Sequence, residues 1–223
     1  MNSATLPGAG TGHLSGDGSV SRRRLAGLVL LLAASLLYLP INRAVVGGTL
    51  LLTPWDRFVP FWPAWVVPYL LSIPWWVGCC LWAAHRMEEW RFRSFLAGVF
   101  ATTLSAYLIY IVFPTYVERP SPQGMGWPVA LVRLIHTYDR ANNAFPSGHT
   151  YTTLLIVFFW WGWQPRLRAA WALIGATIIL STLFTGQHHL LDPLGGAVWA
   201  WLGYRFGLWW GSRGAHGRTR SAG

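Results

Sequence analysis

Apolar residues fall along this chain in long blocks, with no strand-like alternation. Runs at 25–41 and at roughly 64–84, 94–113, 147–163, 169–185 and 193–210 are nearly free of charge. Each approaches the roughly 20 residues that a helix needs to cross a bilayer. The blocks predict six transmembrane helices. The polar segments between them are too short for a separate soluble domain. The predicted fold is therefore all-α, a polytopic integral membrane bundle over residues 22–211. A polar tail precedes it at 1–21 and another follows at 212–223.

Details of the blocks refine this picture. The first 20 residues are rich in Gly and Ser and lack periodicity, a composition that predicts disorder. Arg22, Arg23 and Arg24 stand before the first block, as in a signal peptide. No small-x-small cleavage site follows; the chain continues Leu39-Pro40-Ile41-Asn42-Arg43, so the block reads as a retained span. Pro60, Pro63, Pro68 and Pro74 crowd the entry to the second block and predict an irregular or kinked start. A short turn containing Gly186 joins the last two blocks.

Composition supports the membrane assignment. Hydrophobic residues make up 53% and charged residues 11%, against a usual charged share of about 25%. The net charge of +10 comes with 17 basic residues, every one an Arg. Arg-rich flanks are the mark of cytoplasmic loops, so nucleic acid is not implied as a partner. Arginine clusters in the N-terminal tail, the 85–93 and 164–168 loops and the C-terminal tail. The alternate loops hold only Arg43, Arg57, Arg119, Arg133 and Arg140. Both termini are thus predicted cytoplasmic, in a multi-pass protein of the cell membrane. The 42–63, 114–146 and 186–192 loops then face outward. Trp160, Trp161, Trp163, Trp209 and Trp210 fit interfacial belts at the inner ends. Cys79 and Cys80 are adjacent within an apolar run and form neither a disulfide framework nor a metal pattern.

Three polar segments carry the chemistry, and the Arg count puts all three on the outer face. Asn143-Ala144-Phe145-Pro146-Ser147-Gly148-His149 opens the fourth block. Free N–H groups at a helix start bind anions, Gly148 permits close approach of a phosphate, and Ser147 adds a hydroxyl. His149 exchanges protons near neutral pH. The turn from Ser181 to Asp192 contains His188 and His189. A carboxylate bonded to one imidazole nitrogen leaves the other free as a nucleophile. His188 and Asp192 are four apart, as on one helix face. Pro193 suggests instead that Asp192 is an N-cap and His188 lies in the turn. A metal held by His188, His189 and Asp192 lacks a clear distal ligand. Pro114-Thr115-Tyr116-Val117-Glu118-Arg119-Pro120 ends the third block, where Arg119 is suited to clamping a phosphate. Taken singly, each segment reads equally as a cap, a solvated turn or an interfacial Arg. Together they supply a set for phosphoryl transfer through a phosphohistidine, with no metal or cofactor required.

In these segments the chain resembles the type-2 phosphatidic acid phosphatase superfamily, whose three motifs occur in this order. The layout is similar over roughly residues 50–210. The resemblance implies His188 as nucleophile, Asp192 as its partner and His149 as acid for the leaving oxygen. Arg119, Ser147 and Gly148 would hold the phosphate. Ser181 and Gly186 match the first residue and a common glycine of the third motif. Two cations of the family pattern are missing: Val112 stands where a Lys is usual, and Thr182 where an Arg is usual. Arg140, Arg133 and Arg57 are candidates to replace them. The Pro-Thr-Tyr run, Asp139 and Asn143 look more like the branch containing inositol phosphorylceramide synthases, which transfers a phosphoryl-alcohol headgroup. The expected activity is hydrolysis of a lipid phosphate. Its rivals are headgroup transfer to a lipid acceptor and lipid transport without catalysis. Candidate substrates are phosphatidic acid, polyprenyl pyrophosphate and a phosphoinositol lipid. Oligomeric state is not legible in the sequence.

Overall fold

The computed structural model describes residues 20–219, the side chains of 214–219 excepted. The predicted N-terminal tail therefore lies outside the described residues, apart from Val20 and Ser21. The chain is mostly helical. Each apolar block forms a helix or helix pair: α1 (Arg22–Leu36) with α2 (Tyr38–Ala44), then α3 (Val66–Arg86) and α4 (Glu89–Val112). After them come the short α5 (Trp127–Tyr138), then α6 (Gly148–Trp163), α7 (Arg168–Phe184) and α8 (Leu191–Thr219). The last helix runs past residue 211, where the sequence predicted a tail.

Local chemistry explains the irregular points. Between α1 and α2 the helix breaks at Leu37, because Pro40 has no N–H to offer the Leu36 carbonyl one turn earlier. A 3₁₀ turn, Pro63–Trp65, leads into α3, with the proline where a missing N–H costs nothing. Pro74 lies inside α3. The prolines thus produce the irregular entry that the sequence predicted.

Among the described residues, four helical stretches are long and apolar enough to cross a bilayer: Arg22–Ala44, Pro63–Arg86, Glu89–Val112 and Pro165–Phe184. The expected count of six is not reached by this measure. Helix α6 has only 16 residues, and α8 is diluted by Gly, Trp and Arg205. Helix α6 packs inside the bundle, contacting α3, α4, α7 and α8, whereas α8 lies on α4 and α6 and leaves Leu194, Val198 and Trp201 exposed. A helix facing protein needs less apolar length than one facing lipid. Along α8, Gly203, Gly207 and Gly211 recur every fourth residue against Ser94, Gly98 and Thr102 of α4. Side chains at these glycines would collide with α4, so their absence lets the two helices approach closely.

One end of the bundle is aromatic. Trp160, fully buried, meets Phe95 at 5.2 Å and Trp163 at 5.5 Å between ring centroids. Trp82 joins this cluster at 4.9 Å from Trp163 and 6.0 Å from Trp171. Arg24 closes the same end, donating to the carbonyls of Ala84 (2.8 Å) and Met87 (2.9 Å) and pairing with Glu89 (2.9 Å).

The opposite end is tied by a small sheet. Strand β1 (Thr49–Leu50) pairs in parallel with β2 (Thr115–Tyr116), with Thr49 beside Thr115 and Leu50 beside Tyr116. Tyr116 also bridges to Asn142, and the Val117 N–H donates to the Ala141 carbonyl at 2.9 Å. Asn42, 3% exposed, donates to the carbonyls of Arg140 (3.3 Å) and Asn142 (3.2 Å) and accepts from the Arg140 N–H (3.1 Å). Segments from three distant parts of the chain are thereby fixed side by side. Helix α5 sits within the 114–146 segment, read from sequence as a loop; it is only 12 residues long, and its buried face is little more than Val129 and Val132.

Candidate active site

Ser147 caps α6. Its fully buried hydroxyl accepts from the Thr150 N–H (3.4 Å) and the Thr150 hydroxyl (3.1 Å). Gly148 is the first helical residue. A methyl group there would meet only the Tyr110 and Tyr151 hydroxyls, at 3.7 and 3.8 Å, so the fold itself does not require the glycine. His149 stacks on Tyr69 of α3, with ring centroids 4.2 Å apart, and lies 5.0 Å from Trp76. Trp76 is held in turn by its N–H bond to Thr153 (3.0 Å). The imidazole is thus clamped between aromatic rings, and its buried Nε2 makes no hydrogen bond among the described residues.

The turn between α7 and α8 presents His188. Gly186 takes a φ of 67°, a region that favours glycine, and reverses the chain. The N–H groups of Gln187 (2.9 Å) and His188 (3.2 Å) then donate back to the Thr182 carbonyl. His188 lies in the turn, and α8 begins at Leu191, one residue before the expected cap. Asp192, 1% exposed, reaches back from the first turn of α8. Its Oδ2 accepts the His189 N–H (2.9 Å) and stands 3.3 Å from His188 Nδ1. The pair meets through the turn, not through helical spacing. A carboxylate at Nδ1 favours the tautomer whose Nε2 carries a free lone pair.

Arg119 is latched. Its Nη1 donates to the Asp139 carbonyl (2.6 Å), and its Nη2 reaches the Asp139 carboxylate (3.1 Å) and the Arg140 carbonyl (3.4 Å). Tyr38 of α2 donates to the other carboxylate oxygen of Asp139 at 2.9 Å. Arg140 is turned elsewhere, its guanidinium donating to the Arg43 carbonyl (2.9 Å). Asn143, 3% exposed and with φ 58°, makes no side-chain hydrogen bond among the described residues.

Two contacts join the motifs. The Ser147 N–H donates to the Asp192 carbonyl at 3.0 Å. Gly186 packs on Pro120, which would lie 2.5 Å from an added Cβ. His188 and His189 open onto a cavity of about 400 Å³, walled also by Asp56, Arg57, Phe61, Glu118 and Pro120.

Sequence reasoning missed Asp56 and Tyr69. Asp56 accepts from the Thr53 N–H (2.7 Å), the Thr53 hydroxyl (2.6 Å) and the Leu190 N–H (2.7 Å), pinning the α2–α3 loop to the histidine turn. Burial pushes the Asp56 carboxyl up, but these hydrogen bonds outweigh it and hold the group below its ordinary range. The one available signal was scarcity: with only 7 acidic residues in the chain, each carboxylate near the motifs merited a role. Tyr69 gave no signal within an apolar run.

A family model described as the PAP2 superfamily matches residues 95–214, more than half of the chain. The chain belongs to the PAP2 superfamily. All three motif segments lie within the match, whereas α1, α2, α3 and β1 precede it. No curated protein and no solved structure gives a match. PAP2 members are generally phosphatases or phosphotransferases, and the apolar helices fit a membrane enzyme of that kind.

Proposed function

We propose that this PAP2 protein is a lipid phosphoesterase that works through a phosphohistidine on His188. The observation that carries the reading is the His188–Asp192 pair, its buried carboxylate at Nδ1 and its imidazole opening on the cavity. In the first step His188 Nε2 bonds to phosphorus while the ester P–O bond breaks, and His149 gives its proton to the leaving oxygen. Water then attacks phosphorus, the N–P bond breaks, and His149 recovers a proton from the water. The N–H groups at the start of α6, with Ser147 and Gly148, hold the equatorial oxygens. Arg119 adds charge on leaving or sharing Asp139, and Asn143 offers a buried amide to the same phosphate. Arg140 serves through its backbone, by positioning the loop that carries Asp139.

The six apolar helices then cross the cell membrane, with both termini cytoplasmic and the site outside. Arg24, Arg91 and Arg168, at the end opposite the motifs, support this orientation. Membrane lipids surround the bundle, and the apolar wall of the cavity suits a lipid phosphate. A transfer reading, toward the inositol phosphorylceramide synthase branch, draws support from Asp139, which shares the pattern of that branch and here holds Arg119.

The test is turnover of a panel of lipid phosphates by purified protein, with product identification in the presence and absence of a lipid alcohol. His188→Ala is expected to abolish turnover in a folded protein. Near-normal activity in that variant removes the nucleophile from His188. His149→Ala is expected to spare an aryl phosphate, whose leaving group needs no proton, more than an alkyl ester. Free phosphate as the sole product supports hydrolysis, a new phosphodiester supports transfer, and neither product supports transport.

A further inference from the structure

We propose that Arg57, from the loop ahead of the PAP2-matched segment, is the cation that binds the substrate phosphate beside His188. The proposal rests on the phosphohistidine reading above and adds a residue that the motifs do not contain.

The two cation positions of the family pattern are unsuited here for visible reasons. Val112 ends α4 on its outer surface, 68% exposed. Thr182 is fully buried, with its hydroxyl bonded to the Ile179 carbonyl at 2.7 Å and its own carbonyl holding the histidine turn. Among the remaining arginines at this end, Arg43 does not wall the cavity, and three are held by protein groups, so that Arg119 reaches a ligand only by leaving or sharing Asp139. Arg133 donates to the Pro122 and Gly124 carbonyls, both at 3.0 Å, Arg140 to Arg43, and Arg119 to Asp139.

Arg57 has neither an ion pair nor a hydrogen bond among the described residues, and rests over the Phe58 ring at 4.7 Å. It walls the same 400 Å³ cavity as His188 and His189. Its backbone is held in place relative to the nucleophile. Adjacent Asp56 bonds the N–H of Leu190, two residues beyond His188, at 2.7 Å. Those same bonds occupy the Asp56 carboxylate, leaving the guanidinium free for a ligand.

Charge balance makes the requirement plain. The ionised groups in the cavity wall are Asp56, Glu118 and Arg57. A phosphate entering there meets two carboxylates and one fixed positive charge. Without Arg57 the wall would repel the substrate. With it, a fork of N–H donors faces the phosphate oxygens beside the attacking imidazole.

The experiment uses the full chain, with vanadate as the probe of phosphate binding, read by tryptophan fluorescence and by inhibition of phosphatidic acid turnover. Arg57→Gln is expected to weaken vanadate binding and to lower kcat/KM by about tenfold or more, the usual scale for losing a charge-assisted contact. Arg57→Lys should recover part of both, and Glu118→Gln should strengthen vanadate binding. Arg57 sits in an exposed loop, so an unchanged melting temperature is expected in each variant. If Arg57→Gln binds vanadate within twofold of the parent, the proposal is overturned, whatever happens to turnover. If His188→Ala stays active, the phosphohistidine reading fails instead, and the vanadate titration still decides the role of Arg57.

Discussion

At the end of the bundle built from Trp82, Trp160, Trp163 and Trp171, side chains meet ring against ring, and the polar atoms left without partners include the indole N–H groups of Trp160 and Trp171. At the motif end the orphaned buried atoms among the described residues are more numerous: His136 Nε2, His149 Nε2, Asp192 Oδ1, Gln187 Oε1, both ends of the Asn143 amide and Arg119 Nε. A buried polar group without a partner costs roughly 1–3 kcal/mol. Indole donors alone perform no chemistry, whereas an imidazole, a carboxylate and an amide gathered around one turn suit a charged, oxygen-rich ligand. The first region is closed by ring packing and the Arg24 bonds, and the second keeps more of its polar groups unpaired.

This contrast can be broken by substitution. The largest expected effect is at the packed end. Trp160→Ala removes a fully buried ring and should cost about 3–5 kcal/mol of stability. Thermal unfolding in detergent reads it, while vanadate affinity of the still-folded protein at low temperature stays near the parent value. A loss of affinity without a loss of stability would mean that the two ends are not independent.

Gly186→Ala should invert that pattern. The added methyl group meets Pro120 in a backbone conformation strained for alanine, shifting the Arg119 segment against the His188 turn. Misplacement of about 1 Å at a reacting centre costs on the order of 100-fold in rate. Turnover should fall by about that factor, with only a modest change in melting temperature.

The smallest effect concerns Asp56. Its folded carboxyl titrates below its ordinary range, so its contribution is present above the unfolded value of about 3.9 and is lost as pH falls through the lower, folded value. The contribution should be under about 1 kcal/mol, since a carboxylate this open to water is screened. Protease sensitivity of the 45–62 loop should rise in the parent as pH drops below 4 or so, and Asp56→Asn should flatten that dependence.

The long apolar runs made the helices legible, because a bilayer-crossing helix writes its length directly into composition. The number of crossings was less legible. Helix α6 packs within the bundle and is short, and α8 carries a sequence shaped by its seat on α4 as much as by apolar length, as Gly203, Gly207 and Gly211 show. In the candidate site, His149, His188 and Asp192 were readable because imidazole and carboxylate side chains are able to do chemistry. That His188 meets Asp192 from a turn was readable from Pro193. The sheet joining residues 49–50 to 115–116, the Asp139 latch on Arg119 and the Asp56 bond to Leu190 were not. Each links positions at least 20 residues apart through one to three hydrogen bonds, and no local pattern announces such a pairing.

The parallel pairing of β1 with β2 bears on whether the motif-bearing half can stand by itself. A chain starting at the family-matched boundary would carry every motif yet leave the Pro114 carbonyl without the Thr49 N–H that meets it at 2.9 Å. The leading helices are therefore stitched to the segment that carries the candidate site and do more than tether it. Grafting the motif-bearing half onto a foreign membrane anchor should yield an enzyme only if the donor supplies an equivalent stitch.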